Sequence, residues 1–163
     1  ALDCEWKTRG IKQAEQIDVL RKLWTEELVT FEGRFHKYNE VTIVPSPKQR
    51  SIPIWIGGSA DSVIRRAAKL GDGWMPILSP DDEGKAAFEK LYTYLEEFGR
   101  KREGFGIEVW MRFSEDNPEF WGATADEWRS MGADMVMLYP MWEVKGVDGQ
   151  IEILRKFKEV ADG

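Results

Sequence analysis

Cysteine is almost missing from this 163-residue chain: there is one, Cys4, so no internal disulfide forms, and thiolate zinc sites and haem-attachment motifs are excluded. Histidine also occurs once, as His36, which rules out a His-rich metal cluster and would leave a Ser-His-Asp hydrolase with a single imidazole to use. Carboxylates remain able to bind a hard cation, but no metal site is assigned. Positive charge is scarce as well. Twenty-three Lys and Arg stand against 29 Asp and Glu, a net charge of -6, so the cationic footprint needed for nucleic acid or an anionic bilayer is lacking. The longest apolar stretch, Met135 to Trp142, falls far short of the ~20 residues that cross a membrane. At Ala1 no basic segment precedes an apolar one, so no signal peptide is expected, and a free thiol suits the cytoplasm. Seven prolines and 15 glycines are too few for a disordered or collagenous chain. With 42% hydrophobic and 32% charged residues, positions 1–163 read as one globular domain.

The apolar residues Ile11, Ala14, Ile17, Leu20, Trp24 and Leu28 recur at three and four, with Lys12, Glu15 and Arg21 between them, and predict an amphipathic helix. Val29-Thr30-Phe31 and Phe35-His36-Lys37-Tyr38 then flank Glu32-Gly33-Arg34, the pattern of a hairpin. His36 alternates with Phe35 and is expected to face solvent. Pro45 to Arg50 reads as an irregular, extended connection, so residues 1–50 hold helix, hairpin and linker.

From residue 51 the pattern becomes strand, glycine turn, helix, and repeats. Ile52-Pro53-Ile54-Trp55-Ile56 is continuously apolar, as in a strand covered on both faces, and Gly57-Gly58-Ser59 leads into a helical Asp61–Leu70 closed by Gly71. Gly73 to Leu78 reads as the second strand, and Ser79-Pro80-Asp81-Asp82 supplies a cap, a proline for the first helical position and acids at the positive dipole end. The stripe Phe88, Leu91, Tyr92, Leu95 and Phe98 marks the buried side of that helix, which Gly99 ends. Ile107 to Phe113 is the third strand. Thr124 and Glu127 have capping-box spacing for a short helix ended by Gly132, Asp134 to Tyr139 is the fourth strand, and a last helix over about 150–161 would bury Ile151, Leu154, Phe157 and Val160. Parallel strands need helical crossovers, so this alternation predicts an α/β fold with about four parallel βα units.

Trp55-Ile56-Gly57-Gly58-Ser59, followed by Arg65 to Pro76 (RRAAKLGDGWMP), resembles the luciferase-like monooxygenases, the bacterial-luciferase superfamily of flavin- and coenzyme F420-dependent enzymes. The likeness extends upstream through Arg9-Gly10, Leu20 to Glu26 and Phe31-Glu32-Gly33-Arg34-Phe35; from Gly104 onward it is one of pattern. Members are (β/α)₈ TIM-type barrels of about 250 residues, so the resemblance implies the carboxy-terminal half of such a barrel. It further implies FMN or F420 as cofactor and a small-molecule substrate. The amino-terminal strands, which carry most catalytic groups in the family, lie outside the sequence, so the catalytic residues are unknown and the chain is expected to be inactive alone. The alternative is a non-catalytic half-barrel interaction or remnant module.

A Gly-Gly-Ser turn between strand and helix lets backbone approach an anion beside the helix dipole. Spacing alone reads as a tight connection with Ser59 as N-cap; the resemblance implies that Gly57, Gly58 and Ser59 receive the cofactor phosphate. Trp74 either faces that ligand or fills the core. The run Arg100-Lys101-Arg102 reads as a solvated helix end, and Glu108 and Arg112 share one face of their strand, as an ion pair or with Arg112 toward substrate. Half a barrel leaves one sheet face open, with Ile54, Ile56, Trp74, Val109, Met111, Val136 and Leu138 as its candidate side chains. A homodimer through that face is the expected remedy.

Overall fold

The computed structural model describes residues 5–112, 119–139 and 146–162. Cys4 and the side chain of Arg112 lie outside the described residues. The chain divides into two compact units, Ala1–Ile54 and Trp55–Gly163.

The first unit is a helix, α1 (Arg9–Thr25), and an antiparallel hairpin of β1 (Val29–Glu32) and β2 (Lys37–Val41). Ile17, Val19 and Val29 are its buried apolar residues, whereas Ile11, Leu20 and Leu28 of the expected stripe are exposed. A strand of four residues covers only a short length of the helix that packs on it, so the buried strip is narrow. His36 does not face solvent as expected. Its ring Nδ1 lies 2.8 Å from Glu15 Oε1, and the two side chains are only 16% and 12% exposed.

In the second unit β3 (Trp55–Gly57), β4 (Gly73–Met75), β5 (Gly106–Arg112) and β6 (Met135–Tyr139) form one parallel sheet in the order β3-β4-β5-β6. Helices α2 (Asp61–Leu70), α3 (Asp82–Glu97), α4 (Glu119–Met131) and α5 (Val147–Asp162) follow the strands in turn. The ends of these helices have identifiable causes. Asp81 caps α3, its carboxylate accepting from the Gly84 amide at 3.0 Å, so Pro80 precedes the cap instead of opening the helix. Gly99, at φ +64, ends α3 in a Schellman turn, with Gly99 N donating to Glu96 O and Arg100 N to Leu95 O. Gly132, at φ +101, ends α4 in the same way, onto Arg129 O and Trp128 O. Thr124 caps nothing: α4 begins earlier, and Trp121, Ala125 and Trp128 recur as its buried face. In α5, among the described residues, Ile153 is buried instead of Ile151 or Leu154, because Ile153 joins Met111, Trp121 and Leu138 in one cluster, with Phe157 packed against it.

The core lies between the sheet and these helices. Ile56, Trp74, Ile107, Val109, Met111 and Leu138 are buried there, together with Ile64, Ala67, Phe88, Leu91 and Leu95. The phase expected for the strands is therefore reversed: Ile56, Trp74, Val109, Met111 and Leu138 face the helices, and Trp110, Met135 and Met137 are exposed on the other face. Glycine sets this phase. The Trp55 indole occupies the space where a Cβ at Gly73 or at Gly106 would stand, so Trp55, Gly73 and Gly106 share the open face and the residues between them turn to the helices.

Candidate functional site

The turn that closes β3 is held from three directions. Gly58 N donates to the Met75 carbonyl at 3.0 Å, which extends the β3–β4 pairing into the turn. The Gly58 carbonyl accepts from the indole Nε1 of Trp74 at 2.8 Å. Ser59 Oγ accepts from the Ile77 amide at 3.0 Å and donates to the Ile77 carbonyl at 3.2 Å, tying the turn to the exit of β4. Gly58 sits at φ +120, a backbone region that side chains disfavour, and a Cβ there would also press on Val63 Cγ1 at 3.3 Å. Gly57 is different: an added Cβ would have only the Met75 carbonyl within reach, at 3.7 Å, so the space beside its backbone is open.

Ser59 is not the N-cap of α2. That position belongs to Ala60, which has no side-chain acceptor to offer, and the Ser59 hydroxyl is committed to Ile77. The Val63 amide turns back to the Ala60 carbonyl at 2.8 Å, which leaves the amides of Asp61 and Ser62 as the donors of this helix start. Asp61 in the first turn accepts from Tyr94 Oη at 2.9 Å and pairs with Lys90 at 3.6 Å, so α3 engages its carboxylate. Arg65 grips Glu97 with both guanidinium nitrogens and joins α2 to α3 behind the turn; its hydrogen bonds hold the Glu97 carboxyl below the ordinary value of 4.5. Donors without partners, an open approach beside Gly57 and a fixed backbone fit a phosphate group.

Trp74 is fully buried, its ring 5.4 Å from that of Phe88, so it belongs to the core and acts on the turn through one hydrogen bond. A trans peptide is planar, with C=O and N–H pointing opposite ways. By holding the Gly58 carbonyl, Trp74 directs the Ser59 amide away from itself. Sequence reasoning found Gly57, Gly58, Ser59 and Trp74 but neither this contact nor the Ser59 clamp.

The basic run is not a solvated end. Arg100 Nη1 donates to Ala68 O of α2 at 2.6 Å, and Arg102 Nη2 donates to Gly132 O at 2.7 Å and Asp134 Oδ2 at 2.8 Å. Only Lys101 is exposed. Glu108 accepts from Trp110 Nε1 at 3.1 Å. Among the described residues no group of three or more His, Cys, Asp or Glu is placed to hold a metal ion, and no helix is long and apolar enough to cross a membrane.

A parallel βα sheet with a glycine turn at the carboxyl end of its first strand is an arrangement found in β/α barrels. The family model for luciferase-like monooxygenases matches residues 4–139, and the chain belongs to that family. It is 28% identical over 127 residues to an F420-dependent glucose-6-phosphate dehydrogenase of Kineococcus radiotolerans, covering 72% of this chain and 37% of that enzyme. An enzyme of the same name from Segniliparus rotundus is 34% identical over 89 residues, covering 55% of this chain and 24% of the relative. Among solved structures, a monooxygenase from Streptomyces bottropensis superposes with a TM-score of 0.78 at 18% identity, covering 96% of this chain and 62% of that one. The chain thus spans between about a quarter and two fifths of these curated relatives. The shared fold is the TIM-type barrel, and the four strands described here correspond to half of its eight.

Proposed function

We propose that this chain is the phosphate-holding half of an F420- or FMN-dependent oxidoreductase barrel acting on a small molecule in the cytoplasm as a homodimer. The observation that carries the reading is the Gly58 turn, with its positive φ, its carbonyl held by Trp74 and an uncapped helix start beside it. The two dehydrogenases compared above are named F420-dependent, which favours the deazaflavin over FMN. Either cofactor, when bound, supplies the hydride-transfer chemistry. The residues of this chain bind and orient: the Ser59 amide and the first amides of α2 take the phosphate, Trp74 sets the peptide plane, and the Ser59 hydroxyl fixes the exit of β4. No proton-transfer group is assigned to the chain, so binding without turnover is its expected behaviour alone.

Fluorescence titration of the chain with F420 and with FMN tests this. One of the two is expected to bind, Gly58→Trp to abolish binding, and Trp74→Phe, which keeps the packing but loses one hydrogen bond of about 1 kcal/mol, to weaken it about fivefold. Absence of binding by either cofactor overturns the reading. It would leave a non-catalytic interaction module, which the exposed Trp110, Met135 and Met137 favour.

A further inference from the structure

The open face of the sheet changes character from one end to the other. At its amino end the Trp55 indole covers Gly73 and Gly106. The next level holds Met75, Glu108 and Met135, the third Trp110 and Met137, and Tyr139 stands above them in register with Arg112. Barrels of this kind fill their interior with about three layers of side chains drawn from alternate strands. Trp110 stands at the third position of β5 on the open face, about 13 Å along the strand from Gly106, and Tyr139 lies beyond it, at the end where the Gly58 turn also sits.

Trp110 is exposed but not loose. Its ring stacks on Tyr139 with centroids 5.5 Å apart and planes 17° from parallel, and its Nε1 donates to Glu108 Oε1 at 3.1 Å. Even so it remains 39% exposed, and Met135 and Met137 on the neighbouring strand are 47% and 42% exposed. An indole fixed at its polar edge and on one side, with thioethers beside it, is a preorganised apolar platform: a ring stacking on it orders little that is not already ordered. The indole N–H is already used, and the nearby carboxylate repels anions.

We propose that Trp110 and Tyr139 form one wall of the substrate pocket, with Glu108 as the residue that positions the indole, and that this wall selects a planar, apolar, non-anionic ring. The inference rests on the barrel reading above and not on the phosphate turn. It is tested by titrating the full chain with 2-naphthol while following the tryptophan indole N–H resonances by NMR, with the Trp110 signal identified through Trp110→Phe. The Trp110 resonance is expected to shift saturably, while that of Trp6, 73% exposed in the first unit, stays still. Trp110→Ala and Tyr139→Leu are each expected to weaken binding about tenfold, and Glu108→Gln, which retains an acceptor, to change it less than about threefold. Tyr139→Leu keeps the indole signals, so folding is read from the same spectra. Unsaturable shifts, equal shifts at Trp6 and Trp110, or affinity untouched by both wall substitutions overturns the proposal. Loss of F420 and FMN binding with 2-naphthol binding intact would instead remove the cofactor reading and leave the wall standing.

Discussion

Glu15 shows how much one carboxylate does when the backbone converges on it. It accepts from the amides of Arg34 at 2.7 Å, Phe35 at 2.9 Å and His36 at 2.7 Å, besides the His36 ring. Burial pushes its pKa up, but the His36 ring and the three amides together outweigh that and hold it below the ordinary value of 4.5. A carboxyl whose folded pKa is depressed adds stability that is complete above its unfolded value and is lost as pH falls through the folded one. The first unit is therefore expected to lose stability below pH about 4.5 through this group. In Glu15→Gln, which has one acceptor oxygen for several donors, that part of the acid loss should disappear, and stability at neutral pH should fall. Urea midpoints of both proteins from pH 7 to pH 3 check this. Since Glu97 and Glu152 are depressed too, the difference between the two curves is the quantity to read, and parallel curves would refute the assignment. Reading the sequence placed His36 in solvent because alternation describes a strand by itself, whereas the partner sits 21 residues upstream on a helix.

At the scale of elements, the connection from α3 to β5 works as a clamp. Arg102 donates to the carbonyls of Phe105 and Gly132 and to Asp134, and Asp134 Oδ2 also accepts from Ile107 N at 2.7 Å, so one side chain joins the end of α4 to the starts of β5 and β6. Arg102→Ala leaves these acceptors without their donor and is expected to cost about 1–3 kcal/mol, read as a lowered urea midpoint at unchanged slope, while Lys101→Ala stays within about 0.5 kcal/mol. Equal effects of the two substitutions would contradict the clamp. Elements were legible wherever a local signal bounded them: α2 falls on Asp61–Leu70 as read because Gly57-Gly58 and Gly71 bracket its apolar spacing, and Gly99 and Gly132 end their helices at positive φ. Strand phase was not legible. Runs such as Ile52 to Ile56 are apolar at every position and carry no alternation, so the faces were decided by Trp55 lying over Gly73 and Gly106, a contact across strands. The site followed the same rule. The Gly57-Gly58-Ser59 turn could be read locally, but the bonds that shape it join residues 16 and 18 apart, and the Trp110–Tyr139 stack depends on the register of β5 against β6.

For the whole molecule, the described strands of the second unit leave two sheet edges and one face with exposed apolar side chains. Among the described residues the outer strands β3 and β6 each have a neighbour on one side only, and Met135, Met137 and Trp110 stay exposed. Apolar area left in water forgoes about 25 cal/mol for each Å², so a second copy laid over the face has a substantial driving force. A twofold axis parallel to the strands would bring β3 of one copy beside β6 of the other in the parallel sense, closing eight strands by an isologous contact. Such a closure leaves the carboxyl-end mouth open, so the Gly58 turn and the Trp110 wall stay reachable. We therefore expect a homodimer at micromolar concentration, seen by sedimentation equilibrium as a mass near twice 18.9 kDa. Met135→Glu puts a second carboxylate directly across from Glu108 on the open face and is expected to return the chain to monomer. A wild-type mass that stays at 18.9 kDa across the concentration range would refute the dimer.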